Sequence, residues 1–168
     1  MKPKLTAEYF RKLYKYEPLT GKIISNHVGY KTFFGQFVSL SPSTGGYLRA
    51  WIAGQSYLVH RLAILYMAGE FPAAGIEVDH INRDPADNRW ENLRLVSRAQ
   101  NMMNVGLPSK NTSGVKGVRY KSETGAWNAR ITVQGRYIGL GDHATKEAAI
   151  AARKIAEAKY HGEYAFQG

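Results

Sequence analysis

Residues 76–104 leave a folded chain few choices. Residues 76–80 (Ile76, Glu77, Val78, Asp79, His80) read as a strand. The stretch 82–91 is rich in Asn, Asp and Pro and reads as a long loop, and 92–96 read as a second strand. Ser97 then stands at an N-cap position, with Gln100 three residues later to complete a capping box. The helix so started carries Asn101 about one turn in. This strand–loop–strand–helix unit gathers an acid, an imidazole and two carboxamides: Asp79, His80, Asn92 and Asn101.

Those residue types share a chemistry. A hard divalent cation prefers oxygen ligands, which a carboxylate and an amide carbonyl supply. An imidazole beside them can take a proton from water near neutral pH. In ideal strand geometry Asp79 and His80 point to opposite faces. At a strand end that alternation relaxes, so both can face one cleft. Asn101 can approach Asp79 from the far side, while Asn92 can hydrogen-bond the loop backbone and fix the His80 ring. Taken alone, each has a plainer reading: a surface Asp–His pair, helix caps, solvated amides. Asp87 and Asn88 are expected to hold the loop through Asx-type hydrogen bonds. His60 is either a structural histidine or a contact to the cleft.

Composition narrows the partner. The chain has 168 residues, a net charge of +10 and an isoelectric point near 9.8, which suits a polyanion. It has no cysteine, so disulfides, Cys-ligated zinc and thiol catalysis are excluded. No apolar run approaches the roughly 18 residues of a membrane span, and the first residues lack the apolar run of a signal peptide. A reducing cytosol suits such a chain, so a cytoplasmic protein is expected, with no membrane and no small-molecule substrate.

Upstream, Thr6 caps a helix over 7–16, stapled by Leu5 and Phe10, and 22–25 begin a strand. Residues 26–46 suggest short strands around Phe33, Phe34 and Phe37. Residues 47–53 and 56–60 form a hairpin about Gly54 and Gln55, and 61–68 form a buried helix. Beyond residue 111 the pattern changes. Residues 115–120, 126–133 and 136–141 read as three strands, and Thr145 caps an Ala-rich helix over 146–161. Trp127, Ala129, Ile131 and Val133 alternate onto the helix side, leaving Asn128, Arg130 and Thr132 outside. The fold class is α+β: mixed strands and helices around the ββα unit, then a three-stranded antiparallel sheet on one helix. Expected domain bounds are 1–104 (core motif 57–104), a linker 105–111, and 112–168.

The residues 57–104, with Val59-His60-Arg61-Leu62, Asp79-His80, Asp87-Asn88-Arg89, Asn92-Leu93-Arg94 and Gln100-Asn101, resemble the HNH endonucleases, strand–strand–helix metal-dependent nucleases. That resemblance implies catalytic roles for His80, which activates water, and Asn92, which supports it. It implies metal binding by Asp79 and Asn101. Asn101 stands where the family name has a histidine, as in the homing-endonuclease branch, and favours magnesium or manganese over zinc. Residues 112–166 resemble the plant-type ethylene-response-factor (Apetala) DNA-binding domain, on Gly117-Val118-Arg119, Trp127-Asn128-Ala129-Arg130 and Leu140-Gly141. Together the resemblances imply a phage-type homing endonuclease that nicks double-stranded DNA, as a monomer or, to cut both strands, a dimer. Arg61, Arg94, Arg119, Lys121, Arg130 and Arg136 are the expected DNA contacts. The alternatives are a non-catalytic duplex-binding regulator on a nuclease scaffold and an RNA-directed protein. The sheet lacks the exposed aromatic pairs that stack unpaired bases, which counts against RNA.

Overall fold

The structure is a computed structural model that describes residues 5–27, 35–107, 109 and 111–164. Its small antiparallel sheets and four helices make a mixed α+β fold, as the patterning predicts. Two compact units divide the chain at Ser97/Arg98. The division falls ahead of the third helix, so this helix groups with the C-terminal sheet.

In the first unit, helix α1 spans Ala7–Leu13 and Thr6 accepts from the Tyr9 N–H at 3.2 Å. It stops three residues short of the expected end. Tyr14 is already extended and begins strand β1 (Tyr14–Glu17), which pairs antiparallel with β2 (Lys22–Ser25). The tyrosines decide this. Aromatic residues favour strands, and alternation buries Tyr14 and Tyr16 on one face while Lys15 stays outside. The Tyr16 hydroxyl donates to the Asn88 carbonyl at 2.7 Å, anchoring the hairpin to the long loop. Gly21, at φ +70°, turns the hairpin so close to that loop that a Cβ would lie 2.5 Å from the Asn88 carbonyl carbon.

Strands β3 (Leu40–Pro42), β4 (Leu48–Ile52) and β5 (Gln55–Leu58) form a three-stranded sheet. Phe33 and Phe34 lie outside the described residues, and Phe37 makes a bridge to Ile24. The second strand of the hairpin ends at Leu58 because helix α2 (Val59–Ala68) begins two residues earlier than expected. That early start puts His60 in the first turn of the helix. Val59, Leu62, Ala63 and Leu65 bury fully against Phe10, Tyr16 and Ile52. Each buried valine or leucine here contributes about 1.5–3 kcal/mol. Strands β6 (Ile76–His80) and β7 (Leu93–Ser97) pair antiparallel, placing Asp79 opposite Arg94 and His80 opposite Leu93. A short 3-10 turn over Trp90–Asn92 leads into β7.

The second unit opens with α3 (Arg98–Asn104), directly after Ser97. Strands β8 (Val118–Lys121), β9 (Ala126–Val133) and β10 (Arg136–His143) form a sheet with β9 in the centre. Helix α4 (Lys146–Tyr160) is capped by Thr145, which accepts from the Ala148 N–H at 3.2 Å. Val118, Ala129 and Ala149 form the centre of this core, and Ile131 is fully buried. The first strand is shorter than the expected 115–120, so β9 outruns it. Arg153 of α4 donates to the Arg130 carbonyl at 2.7 Å, and the His161 ring meets the Thr132 carbonyl at 2.9 Å. No helix among the described residues is long and apolar enough to cross a membrane.

Candidate active site

Burial places the chemistry at the end of β6. Val78, Asp79 and His80 are all buried, His80 to 4% exposure and Asp79 to 6%. A buried carboxylate needs a partner, and β7 supplies it. Arg94, directly across the ladder, sets Nε and a terminal nitrogen each 2.8 Å from Asp79 Oδ2. Arg94, one of the expected DNA contacts, is held by its guanidinium against Asp79. Register is the cause, since directly opposed residues share a face.

His80 packs into a cluster of rings. The His60 ring meets it edge to face with centroids 5.1 Å apart, and Tyr47 lies 5.8 Å from His80 and 5.2 Å from His60. His80 Nε2 lies 3.4 Å from Asn88 Oδ1. The Asn88 amide nitrogen donates to the Ala86 carbonyl at 2.9 Å, which turns Oδ1 toward the ring. An amide oxygen only accepts, so Nε2 carries the hydrogen and Nδ1 the lone pair. Burial lowers the His80 pKa, against upward pulls from Asn88, Asp79, Asp84 and Asp87. The ring is therefore held in its neutral, basic form.

Asn92 bonds the backbone of the long loop, as its position suggests, through two bonds that do not reach the His80 ring. Its Oδ1 accepts from the Asn82 N–H at 2.9 Å and its Nδ2 donates to the Asp87 carbonyl at 2.8 Å. It thus fastens both ends of the loop 82–87, while the ring contact falls to Asn88. The loop is further closed by Asx-type bonds: Asn82 Oδ1 from the Asp84 N–H at 2.8 Å and Asp84 Oδ1 from the Ala86 N–H at 2.9 Å. Asp87 takes two bonds from Arg89, at 2.9 and 2.8 Å, and these hold its carboxyl down at about 2.

His60 has a side of its own. It is 6% exposed, and its Nδ1 is buried without a hydrogen-bond partner among the described residues. Burial, then His80, then Arg61 lower its pKa to about 3, so it is a neutral ring. Its pairing with His80 and the Asn88 contact are the two features that sequence reasoning missed. The Asn88 contact spans only eight residues and lies within the loop already singled out.

Asn101 stands on α3, in the second unit. Arg61 lies over the Phe71 ring, 6.0 Å from its centroid. On the C-terminal sheet Arg119 and Arg130 are exposed on the outer face, with Arg130 4.8 Å from the Tyr137 ring centroid. Lys121 shares that face but is paired with Asp142 at 2.7 Å. Arg136 pairs with Val133 in the ladder, on the helix-side face, so it is separated from Arg119 and Arg130. Among the described residues no three His, Asp or Glu side chains form a metal cage, so any cation here would take its other ligands from amides, water or substrate phosphate.

Residues 57–103 match the family model of the HNH endonucleases. Protein 3.8 of Escherichia phage T7 is 36% identical over 62 residues, which is 37% of this chain and 51% of that protein. The chain thus spans about half the length of the curated relative it matches. A solved structure showing DNA binding and cleavage by the HNH homing endonuclease I-HmuI superposes over 87% of this chain and 83% of that one, at 19% identity and a TM-score of 0.43.

Proposed function

We propose that this chain is a divalent-metal-dependent endonuclease that nicks double-stranded DNA, with the C-terminal sheet as its DNA-holding module. One observation carries the reading: within the segment matched to HNH endonucleases, a neutral His80 lies beside Asp79 with its tautomer set by Asn88. In-line attack on a phosphodiester requires a base for water. His80 Nδ1 is that base, and Asn88 keeps the ring oriented as it gains a proton. Asn92 is a positioning residue that keeps Asn88 and the loop in place. Arg94 orients the Asp79 carboxylate.

The donor set fits a hard cation. Asp79 is a carboxylate that Arg94 holds in place, and carboxylate oxygens are the ligands a hard cation prefers. Asp79 would supply an oxygen to magnesium or manganese, and the resemblance to the HNH endonucleases implies Asn101 as the second ligand. A cation held by these residues would supply neutralisation of the charge that builds on the phosphate and the leaving oxygen. The DNA contacts we assign are Arg61, Arg119 and Arg130, with Lys121 and Arg136 at the margins of the sheet. These basic side chains suit phosphate binding. Nicking follows from a single site per chain, and a cytoplasmic setting suits an enzyme whose substrate is DNA.

A second reading, a non-catalytic duplex-binding regulator on a nuclease scaffold, draws on the Asp79–Arg94 pair, which already balances the acid. Supercoiled plasmid separates the two. The endonuclease converts it to open circles with magnesium or manganese, and His80→Ala and Asp79→Ala abolish this while gel-shift affinity persists. Wild-type protein that binds duplex but never cuts with any divalent ion supports the regulator.

A further inference from the structure

The outer face of the C-terminal sheet carries an acid where a simple phosphate-binding surface would have none. In the ladder Arg119 of β8 and Asp142 of β10 both pair with Asn128 of β9. One row across three strands therefore reads guanidinium, carboxamide, carboxylate. Neighbouring strands lie about 4.8 Å apart, so the row spans about 10 Å, within the roughly 12 Å width of a major groove. The row faces away from α4, since Ala129 and Ile131, its neighbours on β9, are fully buried on the opposite side.

The acid is fixed, not loose. Asp142 Oδ1 accepts from Asn128 Nδ2 at 2.6 Å and Oδ2 from Lys121 Nζ at 2.7 Å, and the side chain remains 41% exposed. The Lys121 bond, then the Asn128 bond, lower its pKa, so it is charged at neutral pH. A charged carboxylate repels phosphate, yet it accepts well from the amino group of a base. Arginine suits guanine O6 and N7, a carboxamide suits adenine, and an aspartate accepts from the N4 amino group of cytosine. Beyond the row, Arg130 stacked on Tyr137 offers the positive end of the same face.

We infer that Asp142 is a specificity-determining residue of this sheet, accepting from a cytosine amino group in the major groove of duplex DNA while Asn128 and Arg119 read the adjoining bases. The inference rests on the proposed function, which makes duplex DNA the partner. Asp142 also keeps the sheet off backbone it does not match, because the same charge that accepts from an amino group opposes a phosphate.

The test uses the full chain carrying His80→Ala, so that DNA stays intact, and selects bound duplexes from a randomised pool. With Asp142 present, the enriched set carries cytosine at one defined position. Asp142→Ala loses that preference and binds unselected duplex several-fold more tightly, while Lys121→Ala weakens all sequences alike. Circular dichroism shows both variants folded, as expected for a surface pair. If Asp142→Ala raises affinity equally for every sequence and leaves the enriched set unchanged, Asp142 is only an electrostatic brake and the inference is overturned. If wild type nicks plasmid but the pool shows no cytosine preference, the inference fails while the proposed function stands. If wild type neither binds nor nicks duplex, both fail.

Discussion

The imidazole of His60 lies edge-on to the imidazole of His80, 5.1 Å between centroids, and both rings are buried. Two bases so close cannot both be charged in a dry setting at little cost. His60, with a pKa of about 3, therefore stays neutral through the physiological range. In the unfolded chain it titrates near the ordinary histidine value of about 6.5.

Stability consequently depends on pH in a defined direction. Between those two values the unfolded chain binds a proton that the folded chain refuses. The contribution is whole above about pH 6.5 and is lost as pH falls toward about 3. From His60 alone, about 2–3 kcal/mol disappears between roughly pH 6.5 and 4.5, and His80, lowered by burial, adds loss of the same sign. Urea unfolding at several pH values measures the slope. His60→Gln should flatten it. A slope unchanged by that substitution contradicts a buried neutral ring.

Activity separates His80 from the two asparagines Asn88 and Asn92. His80→Ala should lower nicking by about 100- to 10,000-fold, the usual span for a lost general base. Asn88→Ala removes the acceptor that sets the ring, and kcat should fall by about 10-fold or more with KM little changed. Asn92→Ala leaves the Asn82 N–H and the Asp87 carbonyl without their partner, so its first effect is on stability, by about 1–3 kcal/mol. Single-turnover rates and thermal melts on the same preparations distinguish the two kinds of loss.

Breaking the Asp79–Arg94 pair should be costly. Arg94→Met leaves a buried carboxylate without its guanidinium, and such losses run to about 3–5 kcal/mol. If Asp79 also binds a cation, millimolar magnesium or manganese should raise the melting temperature of Arg94→Met more than that of wild type, because the ion offsets the missing charge. An equal shift in both, or none, argues against a cation at Asp79.

In the second unit, Gly117→Ala should be among the most damaging single changes. Gly117 has φ +70°, and an added Cβ would meet the Arg130 carbonyl oxygen at 2.2 Å. Arg153→Met should also destabilise, by about 2–4 kcal/mol. It removes a charged donor from that carbonyl and leaves Glu157, bonded to Arg153 at 3.0 Å, without its partner. Denaturant midpoints measure both. A Gly117→Ala protein as stable as wild type would mean the β8–β9 approach is looser than described.

Much of the architecture was readable from local pattern. Strand β9 matches 126–133 residue for residue, because alternation of Ala129 and Ile131 against Arg130 and Thr132 is a strong period-2 signal. Helix α4 begins where Thr145 caps it. The misjudged end of α1 has a physical cause: Tyr9, Phe10, Leu13 and Tyr14 continue a helical spacing, but tertiary burial of Tyr14 and Tyr16 on one strand face overrides it. The candidate site was legible as a set of residue types and not as a set of contacts. Pairing of Arg94 with Asp79 depends on ladder register, and the His60–His80 contact joins residues from a helix and a strand. Neither leaves a periodic trace in sequence. The division of labour between Asn88 and Asn92 depends on how the loop closes, which several interchangeable Asx bonds can satisfy.

Beyond the end of β8, the carbonyls of Arg130 and Thr132 on β9 are occupied by Arg153 and His161. An uncovered strand margin is ordinarily an invitation for another polypeptide to extend the sheet. Here the helix that closes the core also takes up those two carbonyls, so this stretch of β9 offers a poor template for a strand from another copy.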